Sequence, residues 1–146
     1  MIKNILLPTD GTEFCEKAIR YGVSLAKVAG GKVTGVTVMS PETQALRGHL
    51  SVETLAAIQQ QKATHAKAAL NTIAQIAQEA GVPCETVVVE DERAYEGIVK
   101  AGREKQCDLI VMASHGRRGL TGILIGSETQ KVLAQSDLPV LVFRGK

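Results

Sequence analysis

The chain has 146 residues, of which 45% are hydrophobic, 22% are charged and 3% are aromatic. This length suits one domain, residues 1–146, and the scarcity of aromatic residues predicts an aliphatic core. The formal net charge is only +2, with acidic and basic residues interspersed. A general nucleic-acid-binding protein usually concentrates its basic residues on one face, so we expect no nucleic-acid partner.

The cysteines and the first residues favour a cytoplasmic protein. Cys15, Cys84 and Cys107 are isolated in the sequence and form no C-x-x-C pair, so neither a zinc site nor a disulfide framework is indicated. Isolated thiols suit a reducing compartment. The first ten residues lack the form of a signal peptide, and no apolar run approaches the roughly 20 residues of a membrane span. We therefore expect a cytoplasmic protein with no membrane partner.

The apolar pattern alternates between short strands and helices. Residues 2–10 predict a buried strand, and residues 12–31 predict a helix with Thr12 as N-cap and two glycines at its end. The later elements follow in chain order: strand 32–40, loop 41–50, helix 51–80, strand 84–91, helix 94–106, strand 107–114, helix 128–135 and strand 138–145.

The order βαβαβαβαβ, with strands that show little polar alternation, predicts an α/β fold. We expect a single doubly wound, Rossmann-like, five-stranded parallel sheet with helices on both faces. In such sheets ligands bind beyond the carboxyl ends of the strands, where the strand order reverses. The first strand ends at Asp10 and the fourth at Ser114. If these strands are neighbours, the loop after the fourth strand lies over Asp10.

That loop is rich in glycine, arginine and hydroxyl side chains. Gly116 and Gly119 flank Arg117 and Arg118. Glycine allows a close approach of the backbone to a ligand, and the arginines could either meet phosphates or face solvent.

A helix then begins near Gly126, with Ser127 and Gln130 in the spacing of a capping box. A helix N-terminus is also a binding site for anions, to which the hydroxyls of Ser127 and Thr129 could donate. A capped helix and a phosphate site both remain open at this point.

Several other sites are disfavoured. The chain has no P-loop and no G-x-G-x-x-G turn after its first strand. A phosphoacceptor receiver domain would have clustered acids where only Asp10 stands. The three histidines do not have metal-ligand spacing, so we expect no directly bound metal. Asp10 and His115 are the only candidates for a general base, and both are weak because the sequence gives no geometry for either.

Three segments together resemble the universal stress protein family: residues 5–19, 107–133 and 139–143. The resemblance extends over the whole chain. ATP-binding members of that family have G-x-x-G, nine residues, and then G-[ST]. Here Gly116 is followed by nine residues and then by Gly126 and Ser127, whereas Ala113 stands at the first glycine. Alanine fits there if the backbone is extended, and weakens binding if a positive φ is needed.

The resemblance implies ATP as the ligand, with Mg²⁺ or Mn²⁺ held through its phosphates. Asp10 would lie near the ribose, Val38 would form an apolar wall for adenine, and the glycines and hydroxyls of the late loop would surround the phosphates. The full candidate site is Pro8, Thr9, Asp10, Val38, Met112, Ala113, Ser114, His115, Gly116, Arg117, Arg118, Gly119, Gly126, Ser127, Glu128 and Thr129.

The function that this resemblance implies is an ATP-binding sensor or switch in a stress response. Two alternatives remain: a dimeric interaction module that binds no nucleotide, and a slow ATPase. The resemblance also implies a homodimer through residues 139–143. An apolar strand at the edge of a sheet tends to be paired or covered, and a two-fold pairing would cover both copies.

Overall fold

The computed structural model describes residues 1–41, 48–115 and 125–144, in which five parallel strands alternate with four helices. The elements are β1 (Asn4–Pro8), α1 (Glu13–Ala29), β2 (Lys32–Met39), α2 (Val52–Ala80), β3 (Cys84–Glu90), α3 (Ala94–Glu104), β4 (Leu109–Ala113), α4 (Ser127–Gln135) and β5 (Val140–Phe143). None of these helices is long and apolar enough to cross a membrane.

The strands form one sheet in the order β3-β2-β1-β4-β5, and every pairing is parallel. β1 lies at the centre, where Ile5 is paired with Val33 of β2 on one side and with Leu109 of β4 on the other. The chain proceeds outward from β1 to β3, and then returns to the other side of β1 at β4. The predicted doubly wound topology is therefore confirmed, and the strand order reverses between β1 and β4.

Helices cover both faces of the sheet. Side chains of successive strand residues point to opposite faces, so each strand contributes to the packing on both sides. Ile5 and Leu7 pack with residues of α1 and α2, whereas Leu6 packs with residues of α3 and α4. Ile5, Leu6 and Leu7 are all fully buried. The core is aliphatic, as the composition predicts.

Glycines end the two long helices where the sequence places them. Gly30 and Gly81 have φ of 71° and 74°, the left-handed conformation that glycine adopts without strain. At the start of α2, Ser51 accepts a hydrogen bond from the backbone N–H of Thr54. Thr12 is the N-cap residue of α1 but makes no side-chain capping bond. α3 ends at Glu104, two residues before its predicted end.

The amino ends of the strands are joined by polar contacts. Asp108, just before β4, accepts hydrogen bonds from the backbone N–H groups of Lys3 and Asn4 at 2.7 and 2.8 Å. The buried Asn4 side chain donates to the Lys105 carbonyl and accepts from the Thr34 hydroxyl. At the amino end of the sheet, these polar groups are therefore paired with one another by hydrogen bonds.

Candidate functional site

A cavity of about 1030 Å³ opens at the carboxyl ends of β1, β2 and β4. Its walls include residues of α2, the first turn of α4 and the N-terminal half of α3. Candidate residues that line the cavity are Pro8, Thr9, Asp10, Val38, Met112, Ala113, His115, Gly126, Ser127, Glu128 and Thr129. The cavity therefore lies at the reversal of strand order, where a doubly wound sheet places its ligands.

Asp10 is fixed in the turn after β1. Its Oδ1 accepts hydrogen bonds from the backbone N–H and the hydroxyl of Thr12, at 2.9 and 2.6 Å, and from the thiol of Cys15 at 3.2 Å. The backbone between Asp10 and Thr12 turns at Gly11, whose φ is 85°. This arrangement holds the Asp10 carboxylate beside the cavity.

The buried Cys15 thiol lies beside that carboxylate. Burial, followed by the negative charge of Asp10, raises the pKa of Cys15 from 9.0 to about 11. The thiol is therefore protonated near neutral pH and acts as a hydrogen-bond donor to Asp10. The sequence gives no local signal for this role, since Cys15 appears there only as an isolated cysteine.

The N-terminus of α4 faces the cavity from the side of β4. Gly126 is the N-cap residue, and its N–H donates to the Ser114 carbonyl at 2.6 Å. The predicted capping box is wrong. Ser127 is already the first helical residue, and the Gln130 amide donates to the carbonyl of Ile125 instead. Gly126 has no side chain that could cap α4, and among the described residues no other side chain caps its first turn. The N–H groups of this turn can therefore donate to another acceptor.

Two side chains in the first turn of α4 form hydrogen bonds with neighbouring elements. The buried Thr129 hydroxyl donates to the Ala113 carbonyl at 2.9 Å. The Glu128 carboxylate accepts from the backbone N–H of Tyr95, at the start of α3. Both side chains line the cavity and also join α4 to its neighbours. Ser114 is buried and does not line the cavity. Its backbone joins the end of β4 to Phe143 and Gly126 through hydrogen bonds.

Ala113 stands where the family pattern has a glycine. It is the last residue of β4, is paired with Phe143, and does not have a positive φ. The extended backbone accepts alanine without strain. The departure from the family pattern therefore adds one methyl group to the cavity wall and leaves the strand unchanged.

Apolar side chains form another part of the cavity wall. Val38 lines the cavity near the end of β2, and α3 approaches it closely because Gly97 has no side chain. A Cβ at Gly97 would lie 2.7 Å from Cγ2 of Val38. Met112, in β4, lines the cavity as well. These residues give a flat aromatic group an apolar contact.

Helix α2 contributes five cavity residues that the sequence did not identify as functional: Ile58, Gln61, Lys62, His65 and Ala66. His65 is exposed, yet its Nε2 lies 2.9 Å from the Asp10 carbonyl oxygen. The helical period places these residues on one side of α2. Only the tertiary structure shows that this side continues from the core to the cavity.

Four candidate residues lie outside the described part of the chain: Gly116, Arg117, Arg118 and Gly119. Their proposed contacts with phosphates stay predictions. Within the described residues, no group of three His, Cys, Asp or Glu side chains is arranged to hold a metal ion.

Comparison with known proteins decides the family. The model of the universal stress protein family matches residues 1–144. The chain belongs to this family. Among curated members, the universal stress protein MJ0531 of Methanocaldococcus jannaschii is 32% identical over 146 residues, covering 99% of this chain and 83% of that protein. A second member from Thermus aquaticus is 29% identical over 145 residues.

Solved universal stress protein structures have the same fold. The structure of MJ0577 from Methanocaldococcus jannaschii superposes with a TM-score of 0.84 at 28% identity, covering 100% of this chain and 98% of that one. UspA from Lactobacillus plantarum has a TM-score of 0.82 at 24% identity, with 98% of each chain covered. Two further family structures were solved in complex with cAMP and with dAMP, at TM-scores of 0.75 and 0.71.

Proposed function

We propose that this universal stress protein is an adenine-nucleotide-binding regulatory protein of the stress response. Its ligand is ATP, with Mg²⁺ or Mn²⁺ held through the phosphates. The observation that carries the proposal is the cavity itself, which brings the Asp10 carboxylate and the uncapped N-terminus of α4 to one cleft.

Each part of a nucleotide has a matching part of the cavity. The N–H groups of the first turn of α4 and its dipole suit phosphate oxygens. A carboxylate such as Asp10 accepts hydrogen bonds from ribose hydroxyls. Val38 and Met112 offer apolar contact to the base. The structures with cAMP and dAMP support an adenine nucleotide as the ligand, since those proteins have the same fold and were solved with adenine nucleotides.

Thermal unfolding with and without millimolar ATP and Mg²⁺ tests the proposal. A ligand that binds only the folded state stabilises it by about 2.7 kcal/mol at a hundredfold excess over Kd. Gly126→Asp should abolish the stabilisation, because it places a carboxylate where the phosphates are proposed. Aspartate is a favourable N-cap residue, so the helix itself should be retained, although its Cβ would lie 3.1 Å from the Ser114 oxygen.

Ala68→Asp is the matched control, since it adds the same charge to an exposed position of α2 that does not line the cavity. This variant should keep the stabilisation by ATP. If the parent protein shows no stabilisation at any ATP concentration, the proposal is wrong and the interaction-module alternative is favoured.

Binding and hydrolysis are separate questions. Release of inorganic phosphate from ATP, measured over hours, would favour the slow ATPase if Asp10→Ala or His115→Ala reduced it. A regulatory protein should show stabilisation by ATP with no such release.

We also propose a homodimer through β5. This strand lies at one edge of the sheet and its residues are half-buried. The carbonyl groups of Pro139 and Phe143 accept hydrogen bonds from the backbone N–H groups on the β4 side. Because backbone groups of successive strand residues point to alternate sides, the N–H of Val142 points to the open edge of the sheet. Val142→Pro should keep the pairing with β4 and prevent pairing with a second copy. Sedimentation should show a dimer for the parent and a monomer for the variant, and a monomeric parent would refute the proposal.

A further inference from the structure

Lys62 places a positive charge in the wall of the cavity, on α2. Its Nζ lies 3.0 Å from the hydroxyl and 3.4 Å from the carbonyl oxygen of Ser40, just after β2. Among the residues that the structure describes, no carboxylate forms a salt bridge with it. An ammonium group has three donors and no acceptor. Lys62 is therefore a donor whose described partners are neutral oxygen atoms.

The strand order fixes where Lys62 stands relative to the rest of the cavity. Ser40 follows β2, Asp10 follows β1, and the N-terminus of α4 bonds to Ser114 after β4. Neighbouring strands are about 4.8 Å apart, so the β2 and β4 ends are separated by about 10 Å. With phosphates at α4 and the ribose at Asp10, as the proposed function has it, the base lies at the end of β2.

The walls near Lys62 suit a base better than a phosphate. Val38 and Met39 of β2, Ile58 and Ala66 of α2, and Ile98 of α3 all line the cavity. Apolar walls stabilise a flat ring by contact, whereas a phosphate there would lose hydration without enough donors to replace it. A single ammonium at the rim of such walls can instead donate to one acceptor on the edge of the ring.

We infer that Lys62 determines base recognition by donating a hydrogen bond to an acceptor atom on the edge of the nucleobase. This inference rests on the proposed function, and it adds a residue to the site that neither the family pattern nor the late loop contains. The nucleobase class it selects is one that presents a ring nitrogen or a carbonyl oxygen toward the end of β2.

The test compares adenosine, AMP and ATP on the parent protein and on Lys62→Met, which is one atom shorter, stays unbranched and removes the donors. Hydrogen bonds from charged groups contribute about 1.5–3 kcal/mol, which corresponds to about a tenfold loss of affinity or more. All three ligands should lose affinity by the same factor, because all three carry the base. Titration calorimetry of the full chain measures each Kd.

Lys67→Met is the matched control. Lys67 is an exposed lysine of the same helix that does not line the cavity, so its variant reports the long-range effect of losing one charge. Binding to this variant should equal that of the parent for adenosine and fall only slightly for ATP.

Three other outcomes would overturn the inference. A loss that is absent for adenosine and grows from AMP to ATP would place the phosphates at Lys62. An unchanged affinity for all three ligands would show that Lys62 does not touch the ligand. If the parent binds none of the three, the proposed function fails first and this inference falls with it.

Deaza analogues identify the acceptor. Adenosine analogues that lack N1, N3 or N7 should bind the parent with unequal affinity, and one of them should show the loss caused by Lys62→Met. For that analogue, the variant should cause no further loss, because the two changes remove the same hydrogen bond. Additive losses for all three analogues would contradict a bond from Lys62 to any ring nitrogen of adenine.

Discussion

The two ends of the sheet use similar residues for different purposes. At the amino end, Asp108 accepts from the backbone N–H groups of Lys3 and Asn4, at the start of β1 and more than a hundred positions away in the chain. At the carboxyl end, Asp10 accepts from Thr12, two positions away. The first carboxylate joins distant segments and closes the sheet. The second accepts from its own turn and from Cys15 in the first turn of α1, and it lies beside an open cavity.

We therefore expect the amino end of the sheet to contribute to stability and the carboxyl end to contribute to ligand binding. At the amino end the buried polar groups are paired with one another, so changes there should lower the free energy of unfolding and spare ligand binding. At the carboxyl end polar groups border the cavity, and changes there should act on binding. The four predictions below test this separation, beginning with the largest expected effect.

Alkaline pH should lower the free energy of unfolding through Cys15, at the carboxyl end of the sheet. Because the pKa of this thiol is raised from 9.0 to about 11 in the folded protein, the unfolded chain releases its proton first. Its contribution to stability is fully present below pH 9 and is lost as the pH rises to about 11. That contribution is about 2–3 kcal/mol. Urea unfolding from pH 8 to 11 measures it.

Cys15→Ser is the control for that experiment, because serine does not titrate in this range and retains a donor for Asp10. The free energy of unfolding of the parent should fall more steeply with pH than that of the variant. Equal slopes would show that burial of the thiol has no such effect.

Two threonines of β2 compare the ends directly. The Thr34 hydroxyl donates to the buried Asn4 side chain, and the Thr37 hydroxyl donates to the Thr9 carbonyl beside the cavity. Thr34→Val should cost about 1–3 kcal/mol of unfolding free energy, because it leaves a buried acceptor unpaired. Thr37→Val should cost less, since water in the cavity can replace the donor.

Stabilisation by ATP is the second measurement for this pair. It should be unchanged in Thr34→Val and altered in Thr37→Val, whose residue lines the cavity. The separation of the two ends would fail if Thr34→Val changed binding while Thr37→Val left it intact.

His65→Ala should loosen the Asp10 turn from α2. The Nε2 of His65 lies 2.9 Å from the Asp10 carbonyl, and the ring also packs on Gly11, where a Cβ would lie 3.0 Å from Nε2. An exposed hydrogen bond of this kind is worth about 1 kcal/mol. His65→Gln, which can still donate, should restore part of the loss in unfolding free energy. Equal losses in both variants would assign the effect to packing of the ring.

Acid pH should lower the free energy of unfolding through Asp108, at the amino end of the sheet, and this should be the smallest of the four effects. Hydrogen bonds from the backbone N–H groups of Lys3 and Asn4 lower the pKa of Asp108 below its ordinary 3.8. Its contribution is present above that value and is lost as the pH falls through the lower, folded-state pKa. Asp108→Asn should therefore show a flatter acid unfolding profile than the parent between pH 4 and 2. A steeper profile in the variant would contradict the assignment.

Much of the fold could be predicted from the sequence, because its signals are local. The apolar runs of β1 and β4, and the glycines after α1 and α2, give the elements and their order. That order, together with the rarity of polar alternation, predicts the parallel sheet and the edge where ligands bind. Asp10 and Gly126 could be placed in the site because each directly follows a strand or begins a helix at that edge.

The capping box shows where local patterns fail. Ser127 and Gln130 have the right spacing, but the helix begins one residue earlier than the pattern requires. The bond from the Gly126 N–H to the Ser114 carbonyl fixes that start. Such a contact joins two segments across the end of β4, and no spacing within residues 126–130 contains it.

The sequence by itself determined the alternation of elements, the family pattern and the glycines that end the helices, because these depend on neighbours along the chain. Only the tertiary structure decided that Ile58, Lys62 and His65 face the cavity. Their helical period is the same as that of the buried Leu70 and Ile73. Which part of that face is covered by the sheet, and which extends past its edge, depends on where β1 and β2 end beneath α2.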